Sequence, residues 1–149
     1  MFQEELIFLD INCESQEQLY SEIANKLEAS GYVKPSYLEN IIDREEKFPT
    51  AIQTEVCGVA IPHTDSEHIL KHGIAIVRLS NSCNFKEMVT LNNVKVKLLF
   101  FLLVKDKEKQ VTVLSRLMGN FSNRYFLNQL LEAQTASEVL LCVNKEGEE

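Results

Sequence analysis

Val94-Lys95-Val96-Lys97-Leu98-Leu99-Phe100-Phe101-Leu102-Leu103-Val104 decides how this chain folds. A half-exposed strand alternates apolar and polar residues, whereas a run this densely apolar reads as a strand covered on both faces. Gly73-Ile74-Ala75-Ile76-Val77-Arg78-Leu79 and Val56-Cys57-Gly58-Val59-Ala60-Ile61 have the same character. Pro62 ends the second of these and delivers His63, Thr64 and Asp65. Strands buried on both faces require helices on both faces, so the chain must supply them on either side of this block.

It does. Glu5 to Ile11 is β-prone, and Ser15-Gln16-Glu17-Gln18 reads as a capping box opening a helix. Leu19, Tyr20, Ile23, Ala24 and Leu27 form its apolar stripe, and Gly31 ends it. Pro35 fits the first turn of a second helix carrying Leu38, Ile41 and Ile42 and closing on Asp43-Arg44-Glu45-Glu46-Lys47, followed by a loop through Pro49 and Thr50. On the other side, Asp106 is an N-cap for a helix with Val111, Leu114, Leu117, Met118 and Phe121 at helical spacing. Ser122 opens a short helix with Phe126, Leu127, Leu130 and Leu131, and Thr135-Ala136-Ser137-Glu138 is a second capping box before a last helix. The expected fold is a three-layer α/β/α sandwich around a central mixed sheet. It forms one domain over residues 1–144, with Lys145-Glu146-Gly147-Glu148-Glu149 as a solvated tail.

With 149 residues the chain is long enough to bury roughly 70% of its unfolded surface without help from a metal or disulfides. A net charge of −7 argues against binding nucleic acid or an anionic membrane, both of which need clustered Lys and Arg. No signal peptide or membrane-length apolar run is present, so a cytoplasmic location is expected. Cys13, Cys57, Cys83 and Cys142 are scattered without a CxxC pair, and four separate, mostly buried thiols are expected in a reducing compartment.

Functional groups of α/β sheets gather where strands end, and His63 falls at such an end. Neutral imidazole is a good nucleophile near pH 7, and Thr64 stands beside it to hydrogen-bond a phosphoryl group or orient the ring. Taken alone, a histidine at a strand end serves structure or surface more often than chemistry. His68 and His72 sit four apart and invite a metal trio with His63. No carboxylate or Cys has zinc-site spacing with them, and a closed site would disable the nucleophile, so no metal is expected.

Arg44-Glu45, then Phe48-Pro49-Thr50, then Gly58-Val59-Ala60-Ile61-Pro62-His63, in this order and near this spacing, resemble the signature of the enzyme IIA domains of the mannitol and fructose type in the bacterial sugar phosphotransferase system. The resemblance runs from the first helix to the last. It implies the mannitol/fructose-type IIA fold, a phosphorylated histidine at His63 and a phosphate-coordinating arginine at Arg44. A guanidinium suits that role through its fork of permanently charged donors. The mannitol and fructose branches open the helix after the long strand with a second histidine; here Gln110 takes that place, able to donate a hydrogen bond but not to titrate. The longer spacing from Arg44 to His63, Ala51 in place of the usual Gly, and the Ala-Ile-Pro-His-Thr-Asp wording are most similar to the galactitol branch.

The implied relay takes a phosphoryl group from phosphorylated HPr to His63 and on to a cognate enzyme IIB, ending on a sugar or alditol moved through the membrane component IIC. It needs no cofactor. Glu45, Glu46, Asp65 and Glu67 are expected as an acidic rim that attracts the basic carrier. The alternative is a regulatory nitrogen-type IIA homologue that controls other proteins through phosphorylation of the same histidine.

Overall fold

The long apolar run becomes β5 (Asn93–Leu103), and its alternation sorts the whole core. In the computed structural model, which describes residues 1–147, Leu99, Phe101 and Leu103 point to one face of the sheet and Leu98, Phe100 and Leu102 to the other. The first set packs with α1 (Gln16–Ala29) and α2 (Tyr37–Lys47), the second with α3 (Lys107–Asn120), α4 (Arg124–Glu132) and α5 (Ala136–Gly147). The result is the expected α/β/α sandwich.

The sheet is completed by β1 (Phe2–Ile11), β2 (Ile52–Gln53), β3 (Gly58–Ala60) and β4 (Gly73–Lys86), in the order β1-β4-β5-β3-β2. β4 and β5 pair antiparallel as a hairpin, while β1 on β4 and β3 on β5 are parallel, which makes the sheet mixed. The hairpin turn is tied by the Glu87 carboxylate, which accepts from the Thr90 amide at 2.6 Å. Hydrogen bonds from Thr90 hold that carboxyl below its usual range.

Helix ends follow the local sequence. The Ser15 hydroxyl accepts from the Gln18 amide at 3.1 Å, and α1 closes with Tyr32 N–H on the Leu27 carbonyl and Gly31 N–H on the Glu28 carbonyl, each 3.0 Å. That closure needs Gly31 at φ +81°, a left-handed conformation that glycine adopts without cost. The second helix begins later than the Pro35 reading, after Ser36.

Other readings need correction. The strand expected over residues 56–61 is regular only from Gly58 to Ala60, with Val56 and Cys57 lying in a turn that Thr54 closes through its hydroxyl. The short β2 was not expected, because two residues carry no periodic pattern. Helix α5 continues through Gly147, so Lys145, Glu146 and Gly147 extend the helix rather than leave it; Glu148 and Glu149 lie outside the described residues. The expectation of four separate thiols fails for Cys13 and Cys83, which form a disulfide with 6.0 Å between Cα atoms. They are 70 residues apart, and only the parallel register of β1 on β4 brings them together. Cys57 keeps its thiol, whose pKa burial pushes up to about 11.

Arg78 interrupts the apolar β4 for a structural reason. Its guanidinium is buried and donates to the carbonyls of Leu130, Leu131 and Ala133 at the end of α4, and it pairs with Asp10 at 3.2 Å. It thereby satisfies carbonyls that the helix end leaves open. Replacing Arg78 by Leu should cost on the order of 3 kcal/mol in urea unfolding, because buried carbonyls lose their donor; a loss below about 1 kcal/mol would assign the capping to solvent instead. A second expected outcome concerns Cys57. With its thiolate disfavoured, peptide mapping after iodoacetamide treatment should find Cys57 labelled slowly at pH 8 and progressively faster toward pH 11, and fast labelling at pH 8 would contradict its burial.

Candidate functional site

Because β3 and β5 are parallel, their carboxyl ends lie at the same edge of the sheet, and His63 sits just past that edge. The approach of the two strands depends on Gly58, where a Cβ would run into the Lys95 carbonyl oxygen and the Val94 side chain. Beyond β3 the chain stays against β5: the Leu102 amide donates to the Pro62 carbonyl at 3.1 Å, and His63 bridges to Leu102. Ile61 and Pro62 are buried, and His63 is half-buried at the surface.

The imidazole is oriented by the backbone of its own segment. Nδ1 lies 2.8 Å from the Ile61 carbonyl oxygen. A carbonyl has no proton to give, so Nδ1 carries the proton of this hydrogen bond. In the neutral ring, Nε2 then holds the lone pair. The arrangement is that of a nucleophile with one nitrogen fixed and the other available.

Elements distant in sequence converge on the residues after His63. Arg44, in the last turn of α2, donates through Nη1 to Asp65 Oδ1 at 3.0 Å, and its guanidinium lies 5.5 Å from the Phe48 ring centroid. Both partners of the ion pair are partly exposed, so it holds Arg44 by less than about 1 kcal/mol. From the first turn of α3, Gln110 Nε2 donates to the Thr64 carbonyl at 3.1 Å. The Thr64 side chain is buried, and its hydroxyl donates to the Asp65 carbonyl at 3.0 Å, shaping the turn from within.

The expected acidic rim separates into two groups. Glu46 and Glu67 are exposed and Asp65 is half-buried, but Glu45 is only 5% exposed and belongs to the interior. Its carboxylate accepts from the Tyr20 hydroxyl at 2.9 Å, the Thr50 amide at 2.7 Å and the Thr50 hydroxyl at 2.8 Å. The Thr50 hydroxyl oxygen in turn accepts from the Ile61 amide at 3.2 Å. Burial raises the Glu45 pKa, while its hydrogen bonds from Thr50 and Tyr20 and the nearby His63 oppose the rise.

Sequence reasoning placed Glu45 with its charged neighbours and gave Thr50 and Tyr20 no part. The missed signal was spacing: Tyr37, Ile41 and Glu45 are four apart, which puts Glu45 on the buried stripe of α2. The other histidines go elsewhere. His68, in a single 3₁₀ turn over Ser66–His68, has Nδ1 2.8 Å from the Ser36 hydroxyl, and His72 Nδ1 accepts from the Lys105 amide at 3.3 Å.

Comparison with known proteins identifies the family. The family model described as "Phosphoenolpyruvate-dependent sugar phosphotransferase system, EIIA 2" matches residues 1–146. The galactitol-specific EIIA component of Escherichia coli (strain K12) is 29% identical over 114 residues, covering 76% of each chain. The mannitol-specific enzyme IIA component of Staphylococcus aureus (strain N315) is 25% identical over 142 residues, covering 93% of this chain and 92% of the other. Among solved structures, enzyme IIAMTL in its complex with phosphorylated enzyme IIBMTL from Escherichia coli superposes with a TM-score of 0.79 at 21% identity, covering 97% of this chain and 98% of that one. That likeness shows the fold, and the family match over nearly every residue settles the relationship: the chain belongs to the EIIA 2 family of the phosphoenolpyruvate-dependent sugar phosphotransferase system.

Proposed function

We propose that His63 is the phosphoryl carrier, accepting the group from phosphorylated HPr and passing it to a cysteine of a cognate enzyme IIB, through which it reaches a carbohydrate moved by the membrane component IIC. Enzyme IIA components are phosphotransferases that relay phosphate through phosphohistidine. The observation that carries the assignment to His63 is the Nδ1 contact with the Ile61 carbonyl, which leaves the Nε2 lone pair free.

The chemistry then needs few parts. The Nε2 lone pair forms a bond to phosphorus as the nitrogen–phosphorus bond of the donor's phosphohistidine breaks, with the bonding pair returning to the donor ring. The His63 ring becomes positively charged, and its proton stays on Nδ1, hydrogen-bonded to the Ile61 carbonyl. A thiolate of enzyme IIB next attacks phosphorus, the new nitrogen–phosphorus bond breaks, and His63 leaves as neutral imidazole with Nδ1 still protonated. Retaining that proton makes the ring a good leaving group in the second step. Positioning and charge stabilisation supply the catalysis. Arg44 offers its guanidinium to the phosphoryl oxygens, exchanging the weak pairing with Asp65 for a charge-assisted one. Gln110 and Thr64 hold the turn that follows the nucleophile.

A soluble partner approaching this face meets Phe48 (64% exposed) next to Arg44 and Val111 (67% exposed) next to Gln110. Apolar groups inside a charged rim, with Glu46 and Glu67 exposed nearby, suit a basic carrier. No helix among the described residues is long and apolar enough to cross a membrane. We assign the protein to the cytoplasm on the basis of its proposed partners. Galactitol or a related alditol is the proposed cargo, supported by the galactitol-specific relative.

Incubation with phosphorylated HPr should place one acid-labile phosphate on the wild-type chain and none on His63→Ala; undiminished labelling of that variant would remove the assignment. Arg44→Ala should keep its fold and lower the transfer rate by about 10²-fold, the scale of losing one preorganised donor. Equal rates would reduce Arg44 to a counter-ion of Asp65. Transfer to galactitol in the presence of the cognate IIB and IIC tests the cargo, and transfer to a different sugar instead would reassign it.

A further inference from the structure

The buried carboxylate of Glu45 stands two hydrogen bonds from the backbone that orients His63. Glu45 Oε1 accepts the Thr50 hydroxyl proton at 2.8 Å, and the Thr50 hydroxyl oxygen accepts the Ile61 amide proton at 3.2 Å. The carbonyl of the same residue, Ile61, accepts from His63 Nδ1 at 2.8 Å. The Thr50 hydroxyl has a single proton. Committing it to Glu45 leaves its lone pairs for Ile61, so the direction of the chain is set from the carboxylate outward. Glu45 Oε2 also accepts the Thr50 amide at 2.7 Å, which fixes the loop after α2, and Tyr20 closes the carboxylate from α1 at 2.9 Å.

We propose that Glu45 is a positioning residue for phosphoryl transfer: through Thr50 and Ile61 its carboxylate fixes the His63 ring with the proton on Nδ1, and its negative charge stabilises the ring as it becomes positive on phosphorylation. The inference rests on His63 being the phosphoryl acceptor, and extends that reading to a residue that touches neither donor nor phosphate.

Three observations support it. The Thr50 amide, which can only donate, lies on Oε2, and the Tyr20 and Thr50 hydroxyls lie on Oε1, so the ionised carboxylate has an acceptor role toward each of its three partners. Glu45 lies near enough to His63 that a positive charge on the ring favours the ionised carboxylate. The charge is also buried, where an interaction is screened far less than at the surface. A stability role alone would be filled more cheaply by an apolar residue, given the desolvation of a carboxylate.

The substitutions Glu45→Gln, Thr50→Val and Thr50→Ser separate the possibilities. Gln has one accepting oxygen and turns an amide N–H₂ toward a Thr50 donor, so the chain is broken at its start. Val fills the space of Thr50 without the hydroxyl, and Ser restores the hydroxyl without the methyl. In ¹⁵N NMR of the unphosphorylated protein, wild type and Thr50→Ser should hold the Nδ1–H form of His63, while Glu45→Gln and Thr50→Val should shift toward a mixture with Nε2–H. Single-turnover transfer at saturating phospho-HPr should fall by roughly tenfold to a hundredfold in Glu45→Gln and Thr50→Val, with the half-saturating HPr concentration unchanged and the rate recovered in Thr50→Ser. A wild-type tautomer and rate in Thr50→Val would overturn the proposal. So would a loss in which only half-saturation changes. Should Glu45→Gln fail to fold, the Thr50 pair decides alone. The tautomer measurement needs no phosphate donor, so a wild-type chain that refuses phosphate would sink the proposed function, while loss of the Nδ1–H form in Glu45→Gln and Thr50→Val would still establish that Glu45 orients the ring.

Discussion

A strand buried on both faces and flanked on both edges must have every backbone polar group paired within the protein, and β5 imposes that condition on its neighbours. Along one edge β4 meets it from Gly73 opposite Leu103 to Lys86 opposite Asn93. Along the other, β3 is only three residues long and runs out before β5 does. The Leu102 amide is satisfied by the Pro62 carbonyl instead. Proline suits the position because it supplies an acceptor and brings no N–H that would need one. The same bond anchors the chain immediately before His63 to the best-packed strand of the molecule, so the candidate nucleophile stands on the core rather than on a loose loop.

How much of this can be read from sequence depends on the range of the interaction. Layering was legible because the dense apolar runs from Gly73 and Val94 and the stripes of α1, α3 and α4 are local patterns. His63, Arg44 and Gln110 were legible as a group only through their resemblance to a family signature. Their meeting depends on contacts across 21 residues for Arg44 with Asp65 and 46 for Gln110 with Thr64. The Cys13–Cys83 pair was invisible for the same reason. Glu45 was different, since its place on the stripe of Tyr37 and Ile41 was written in the sequence. A charged residue type outweighed a positional signal there, and the positional signal was right.

Neighbouring residues on α2 thereby divide the electrostatics of the site. A helix turns about 100° per residue, so Arg44, Glu45 and Glu46 cannot share a direction. Arg44 faces Asp65 in the partly exposed turn, Glu45 goes inward to Thr50 and Tyr20, and Glu46 goes to solvent. One short acidic stretch therefore provides a partly exposed cation, an internal anion and a solvated charge. Gln110 adds a neutral clamp on the Thr64 carbonyl where a titrating side chain would introduce another charge.

The hairpin of β4 and β5 also bears on the order in which the molecule is built. Its strands are joined by the short turn at Glu87–Asn92, so their pairing closes a small loop, whereas β1 on β4 and β3 on β5 must wait for distant segments. A nascent chain can form this hairpin with its alternating Leu and Phe residues while β3 is still undocked. Pro62 and His63 reach Leu102 only when the β3 segment settles on the remaining edge of β5. The candidate site thus depends on contacts of longer range than those of the central hairpin, which can pair before His63 has its place on β5.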